Sequence, residues 1–71
     1  MYKNLEAELT RSGISQDEAA EHLGICLRTF KSKLDGTSDW YLRELIGLKD
    51  FINDRLGTDY SLDYLFERYG E

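Results

Sequence analysis

Three basic side chains, Arg28, Lys31 and Lys33, lie in a segment bounded by two glycines. Guanidinium and ammonium groups only donate hydrogen bonds, so they bind oxygen and nitrogen acceptors and favour anionic partners. No acidic residue interrupts the stretch numbered 22–34, although the whole chain has a formal net charge of −5. This segment is therefore the first candidate for a surface that binds an acidic or acceptor-rich partner.

The residues before this segment predict a short helix and a tight turn that would hold it in place. Ser15 and Glu18 have the spacing of a capping box, in which the serine oxygen accepts a free amide at the helix start. Ile14 and Ala19 have the spacing of a hydrophobic staple around that start. Gly24 suits the left-handed turn that commonly ends a helix.

The basic segment itself predicts a second short helix. Phe30 and Leu34 are four residues apart and should face inward, so Arg28, Lys31 and Ser32 should point the other way. Two short helices joined by a glycine turn form a helix-turn-helix pattern, here at about residues 15–35.

Three further helices complete an all-α fold, a compact bundle of about five helices in a single domain, 1–71. "KNLEAELTRSG" predicts the first helix, and "SLDYLFERY" predicts the last, with Ser61 as its cap. "SDWYLRELIGLKDFIND" predicts a longer helix that is capped by Ser38 or Asp39. The side chains expected to face the core from this helix are Leu42, Leu45, Ile46 and Ile52. Gly47 is expected at a close contact with another helix.

The stretch "SQDEAAEHLGICLRTFKSKLDG" resembles the helix-turn-helix of the phage Cro and repressor class, the XRE-like regulators. The resemblance is carried by Gln16, Ala20, Gly24, Phe30 and Leu34, and "SLDYLF" is similar to the closing helix of many members. It implies a lambda-repressor-like fold, usually a homodimer, with the recognition helix, about 26–35, in the major groove of double-stranded DNA. The implied function is sequence-specific regulation of transcription.

The resemblance also implies two sets of contacts with DNA. Residues that would meet base edges are Leu27, Arg28, Lys31 and Ser32. Residues that would contact phosphates are Gln16, Lys33, Thr37, Ser38 and Arg43. Two alternatives stay open: a solvated outer face for Arg28 and Lys31, and a half-buried core role for Leu27.

The distribution of charge favours a rival function. Residues 1–38 hold five basic and six acidic residues (net −1), and residues 39–71 hold four and eight (net −4). An acidic chain has little non-specific affinity for nucleic acid. The rival is a helix-turn-helix fold used as an acidic protein–protein adaptor or anti-repressor.

Catalytic and metal sites lack the residues that they require. Cys26 and His22 are the single cysteine and the single histidine, and no phosphate-binding glycine loop is present. We therefore expect no enzyme activity, no metal, no cofactor and no small-molecule ligand, with Cys26 as a poor helix cap or, alternatively, a redox switch. The absence of a long apolar run predicts a cytoplasmic protein without membrane contact.

The aromatic residues divide into a core set and a possible interface set. Trp40, Phe51 and Phe66 are expected to pack in the core. Tyrosines are enriched at protein interfaces, so those after Asp39, with the terminal "ERYGE", are candidates for a dimer surface: Tyr60, Tyr64 and Tyr69.

Overall fold

A computed structural model describes residues 1–68 as an all-α bundle of five helices. Their bounds are α1 Lys3–Ser12, α2 Gln16–Leu23, α3 Leu27–Asp35, α4 Leu42–Leu56 and α5 Leu62–Leu65. The predicted all-α class and the bundle of about five helices are therefore confirmed. Within these residues, no helix combines the length and apolar character needed to cross a membrane.

The start of α2 confirms the predicted capping serine. The Ser15 side chain accepts a hydrogen bond from the Glu18 backbone N–H at 3.0 Å, and Ile14 and Ala19 are both buried. Glu18 also accepts from Arg55 of α4 at 2.9 Å, which links the first turn of α2 to the end of α4. Gly24 ends α2 at φ 73°, and its N–H bonds to the carbonyls of the last turn.

The core is one apolar cluster to which all five helices contribute buried side chains. Its fully buried large apolar side chains are Phe30, Leu5, Leu48, Ile52 and Leu65. The Trp40 ring meets Phe30 edge-on, with centroids 5.8 Å apart, and it meets Phe66 at 5.4 Å. Trp40, Phe51 and Phe66 are partly buried against this core, so the core prediction for these aromatic residues is confirmed.

The fourth helix differs from the prediction in its start and in its buried face. It begins at Leu42 with Tyr41 as its N-cap residue, so neither Ser38 nor Asp39 caps it. The Thr37 and Ser38 amides instead bond to the Ser32 carbonyl and close the C-terminus of α3. Leu42 and Ile46 are exposed, by 65% and 40%, and were wrongly predicted to face the core.

The buried stripe of α4 runs through Glu44, Leu48 and Ile52. The prediction is confirmed for Ile52, and Leu45 is half-buried, but Glu44 and Leu48 were not predicted because a glutamate was not expected in a core stripe. The expected close contact at Gly47 is confirmed, since a Cβ atom there would lie 3.2 Å from Leu23 Cδ2 of α2.

Candidate nucleic-acid interface

The helix-turn-helix pair holds α3 by one face and leaves the other open. The two helices pack against each other across a turn of three residues, 24–26. Phe30 and Leu34 are buried, at 0% and 5% exposure, whereas Arg28 and Lys31 are exposed. The predicted orientation of this helix is therefore confirmed. Leu27 and Ser32 are half-buried at the edges of the open face.

The N-terminus of α3 is formed by Cys26, which is exposed and makes no side-chain capping bond. Its Sγ atom lies 3.2 Å from Thr29 Oγ1, where either atom can be the donor. The hydrogen bond with the Thr29 side chain lowers the pKa of the Cys26 thiol, as does the Thr29 backbone N–H. The start of α3 therefore lacks a strong side-chain cap.

The predicted phosphate contacts fall on both sides of α3. Gln16 is exposed at the start of α2 and lines, together with Lys31, a depression of about 380 Å³. Thr37, Ser38 and Arg43 line a groove of about 530 Å³ between the end of α3 and the start of α4. These two concave surfaces flank the open face of α3.

Acidic residues border both concave surfaces, and exposed Asp39 lines the groove that holds Thr37, Ser38 and Arg43. Glu6 of α1 and Asp35 at the end of α3 line the same depression as Gln16 and Lys31. Their carboxylates reduce the positive potential around Lys31. The exposed basic surface is therefore narrow and lies mainly around Arg28 and Lys31.

Lys33 does not fit the phosphate contact predicted for it. Its side chain is 5% exposed, and its ammonium group donates a hydrogen bond to Glu44 Oε1. The ammonium also lies 4.4 Å from the centroid of the Tyr41 ring and 5.9 Å from that of Trp40. A buried and paired ammonium group cannot reach a phosphate without breaking these contacts. The charge of Lys33 therefore neutralises the buried Glu44 carboxylate.

Glu44 is the partner that sequence reasoning missed. Its side chain is 1% exposed, and Oε1 also accepts from the Tyr41 backbone N–H at 3.0 Å. Burial opposes ionisation, but the hydrogen bonds from Lys33 and Tyr41, with the charges of Lys33 and Arg43, lower the pKa of Glu44. Its place three residues after Tyr41, at the third position of α4, is the one sequence signal for such a role.

The histidine and tyrosine side chains make contacts within the fold. His22 is exposed, as predicted, and its ring stacks on Phe51 with centroids 4.0 Å apart. Tyr60 and Tyr64 stack on each other at 5.0 Å, and the Tyr64 hydroxyl donates to buried Glu8 at 2.8 Å. This hydrogen bond raises the pKa of Tyr64. Tyr69 and the end of the "ERYGE" segment lie outside the described residues.

No known protein family, curated protein or solved structure matches this chain. The role of the open face of α3 is therefore argued from its own geometry and charge. That face offers two exposed cationic side chains on a helix that two buried anchors, Phe30 and Leu34, hold in place.

Proposed function

We propose that the chain is a sequence-specific DNA-binding regulator of the Cro/repressor type that acts in the cytoplasm. One observation carries the proposal: Arg28 and Lys31 project from the open face of α3, the second helix of a helix-turn-helix pair. The major groove of B-DNA, about 12 Å wide, admits an α-helix, and Arg and Lys both donate to the acceptors of guanine. Ser32 and Leu27, at the edges of that face, would add a polar contact and an apolar one.

Phosphate contacts would fix the orientation of α3 in the groove. Gln16 on one side, and Thr37, Ser38 and Arg43 on the other, supply an amide, two hydroxyl groups and a guanidinium group. Groups of this kind bind phosphate oxygens without reading the sequence. Lys33 is left out of this set because its ammonium group is paired with Glu44.

The regulator would act as a homodimer on a near-palindromic site. The described residues extend 30 × 27 × 21 Å, so each copy is small enough to occupy one half-site beside its partner. One turn of the duplex, about 34 Å, separates half-sites in helix-turn-helix complexes. Two copies would also double the few phosphate contacts that each copy offers against a net charge of −5.

Selection of bound duplexes from a random pool, at physiological salt, tests the proposal. The expected result is an enriched motif with two-fold symmetry, which the Arg28→Ala/Lys31→Ala variant fails to enrich. Lys49→Ala is the control, since it removes one positive charge from α4 at a place that does not line either concave surface beside α3. Sedimentation of the protein on the selected duplex should give two copies per site. An asymmetric motif bound by one copy would refute the dimer.

A protein–protein adaptor is the second candidate function. Tyr41, Leu42 and Ile46 are exposed at the start of α4, by 62%, 65% and 40%, and contiguous exposed apolar side chains favour protein contact. The acidic balance of residues 39–71 favours the same function. Failure to enrich any duplex, from a folded protein, would select this candidate over DNA binding.

A further inference from the structure

The Lys33–Glu44 pair joins two parts of the proposed DNA-binding surface. Lys33 belongs to α3, which carries Arg28 and Lys31, and Glu44 belongs to the first turn of α4. Between them, the segment numbered 36–41 carries Thr37 and Ser38. The pair therefore joins the two ends of this segment. In the proposed complex, α3 before it would read bases, and Thr37 and Ser38 within it would contact phosphate.

Backbone packing ties α3 and α4 together less directly than this pair does. Among the described helices, α3 packs closely on α2, whereas α4 packs closely on α1, α2 and α5. The link from α3 to the start of α4 runs through side chains: the buried Lys33–Glu44 contact and the edge-on contact of Phe30 with Trp40. Of these, only the ion pair reaches into α4 itself.

Glu44 also organises the start of α4. Its Oε1 atom accepts from both the Lys33 ammonium and the Tyr41 N–H, while Oε2 lies 4.0 Å from the guanidinium of Arg43. The Arg43 side chain is 69% exposed, so its guanidinium is accessible to a partner at this distance from Glu44. One buried carboxylate thus faces the recognition helix, the first amide of α4 and a candidate phosphate contact.

Stability alone is a weak reason to bury such a pair. Removing two charges from water is unfavourable, and replacing a buried ion pair by apolar residues of similar volume is often neutral or stabilising. A fixed geometry is the benefit that an apolar pair does not supply, because apolar contacts are not directional whereas hydrogen bonds are.

We propose that Lys33 and Glu44 are positioning residues that set the Thr37, Ser38 and Arg43 side of the surface relative to α3. The inference rests on the proposed DNA-binding function. The pair touches no DNA in this scheme. It acts by holding the phosphate-binding loop at the distance from α3 that the duplex backbone requires.

The test compares two double variants that leave net charge unchanged. Lys33→Met/Glu44→Leu replaces the buried pair by apolar residues. Lys49→Gln/Asp50→Asn removes a pair of α4, half-buried Lys49 and exposed Asp50, whose charged atoms lie 3.0 Å apart. We expect the first to fold with a melting temperature near that of the parent, because apolar packing offsets the loss of the ion pair while the Tyr41 N–H loses its acceptor. Its affinity for the selected duplex should fall roughly tenfold, a coupling size seen for residues that act through others. The second should bind like the parent.

The salt dependence of binding separates positioning from direct contact. Loss of one phosphate contact lowers the slope of log affinity against log salt by about 1, and Arg43→Ala should show this. The Lys33→Met/Glu44→Leu variant should keep the slope of the parent. A slope lowered by about 1 would return Lys33 to the phosphate contacts. Parent-like affinity would reduce the pair to a purely structural role. Either result overturns the inference.

Amide exchange tests the inference even if the protein binds no duplex. The Thr37 and Ser38 amides donate to the Ser32 carbonyl, not to Glu44, so both bonds survive the substitutions. Faster exchange at these amides, with unchanged exchange in the core of α4, would support a positioning role while DNA binding itself was refuted. Unchanged exchange at the Thr37 and Ser38 amides would overturn the inference. If the double variant does not fold, Glu44→Gln keeps the side-chain volume and serves in both measurements.

Discussion

The three cationic side chains of α3 all carry one positive charge, but two are exposed and one is buried. Arg28 and Lys31 face solvent, whereas Lys33 meets Glu44 and two aromatic rings. The same helix therefore presents charge to a partner on one side and neutralises charge on the other. The basic residues of α3 therefore do not all serve an anionic partner, because one of them neutralises a buried carboxylate of the acidic chain.

Arg28→Ala should weaken binding to the selected duplex by about 1–3 kcal/mol and relax preference at one base position. The physical reason is loss of a bidentate donor to a base edge. Quantitative binding to duplexes that vary one base at a time measures both effects. Arg28→Lys is the matched control, since it keeps the charge and loses the planar fork. An equal loss on every sequence would restrict Arg28 to phosphate contact.

Cys26→Ser should leave the free energy of unfolding unchanged or raise it by up to about 1 kcal/mol, because serine is a good N-cap residue. The melting temperature should then stay the same or rise. Cys26 makes no side-chain capping bond, so its substitution by serine removes no cap. Thermal unfolding under reducing conditions measures the change. If peroxide abolished DNA binding of the parent but not of the variant, Cys26 would have to be accepted as a redox switch.

Helix starts determine where the elements lie. Ser15 caps α2 and Ser61 caps α5, each by accepting the N–H three residues later, at 3.0 and 3.1 Å. Glu44 stabilises the start of α4 from inside the helix, through the Tyr41 N–H. The two serine caps follow a local rule, whereas the third depends on a partner eleven residues earlier in the chain, Lys33.

Ser15→Ala should lower the free energy of unfolding by about 1 kcal/mol, because one amide at the start of α2 loses its acceptor. Denaturant unfolding measures the loss. Thr10→Ala, an exposed substitution within α1, is the control and should change stability by less than about 0.5 kcal/mol. The base preference of the folded protein should be unaffected. Unchanged stability would show that α2 starts without this cap.

Glu44→Gln should flatten the acid side of the stability profile. The pKa of Glu44 is lowered in the folded protein, so its contribution is present above the ordinary glutamate value of about 4.3 and is lost as pH falls through the folded value. The variant should be less stable than the parent at pH 7, and the difference should shrink below about pH 4. Thermal unfolding at several pH values measures it. A difference independent of pH would assign the effect to packing rather than to charge.

The distribution of charge over the whole molecule limits its affinity for any polyanion. The acidic residues of α1 and of the end of α3 reach the depression beside Lys31, and the half after Asp39 is more acidic still. A dimer would concentrate this negative charge, so like charges would oppose association at low salt. Salt should therefore strengthen dimer formation while it weakens contact with phosphate.

Glu6→Gln should tighten DNA binding by up to about fivefold at low salt, since one exposed charge contributes at most about 1 kcal/mol. Glu6 lines the depression that holds Lys31 and would face the duplex backbone. Titration of labelled duplex at two salt concentrations measures the gain, which should shrink at the higher one. Asp63→Asn in α5 removes the same charge away from α3 and should change affinity less. Equal gains from both would indicate a net-charge effect alone.

Local patterns in the sequence determined the helix pair and its caps. Ser15, Gly24 and the spacing of Phe30 and Leu34 act over a few residues, through hydrogen bonds and the helical period, so the orientation of α3 was predictable. The same period predicted that Arg28 faces outward. The helical period could not predict that the Lys33 side chain is buried.

Only the tertiary structure decided the use of Lys33 and the register of α4. Lys33 and Glu44 meet across eleven residues because the chain turns between α3 and α4, and no pattern of apolar spacing marks a charge that is paired in the interior. Once Glu44 is drawn inward, the helical period places Leu48 and Ile52 in the core and turns Leu42 and Ile46 to solvent. A charge is buried only where another chain segment brings its partner, and that placement is a property of the folded molecule.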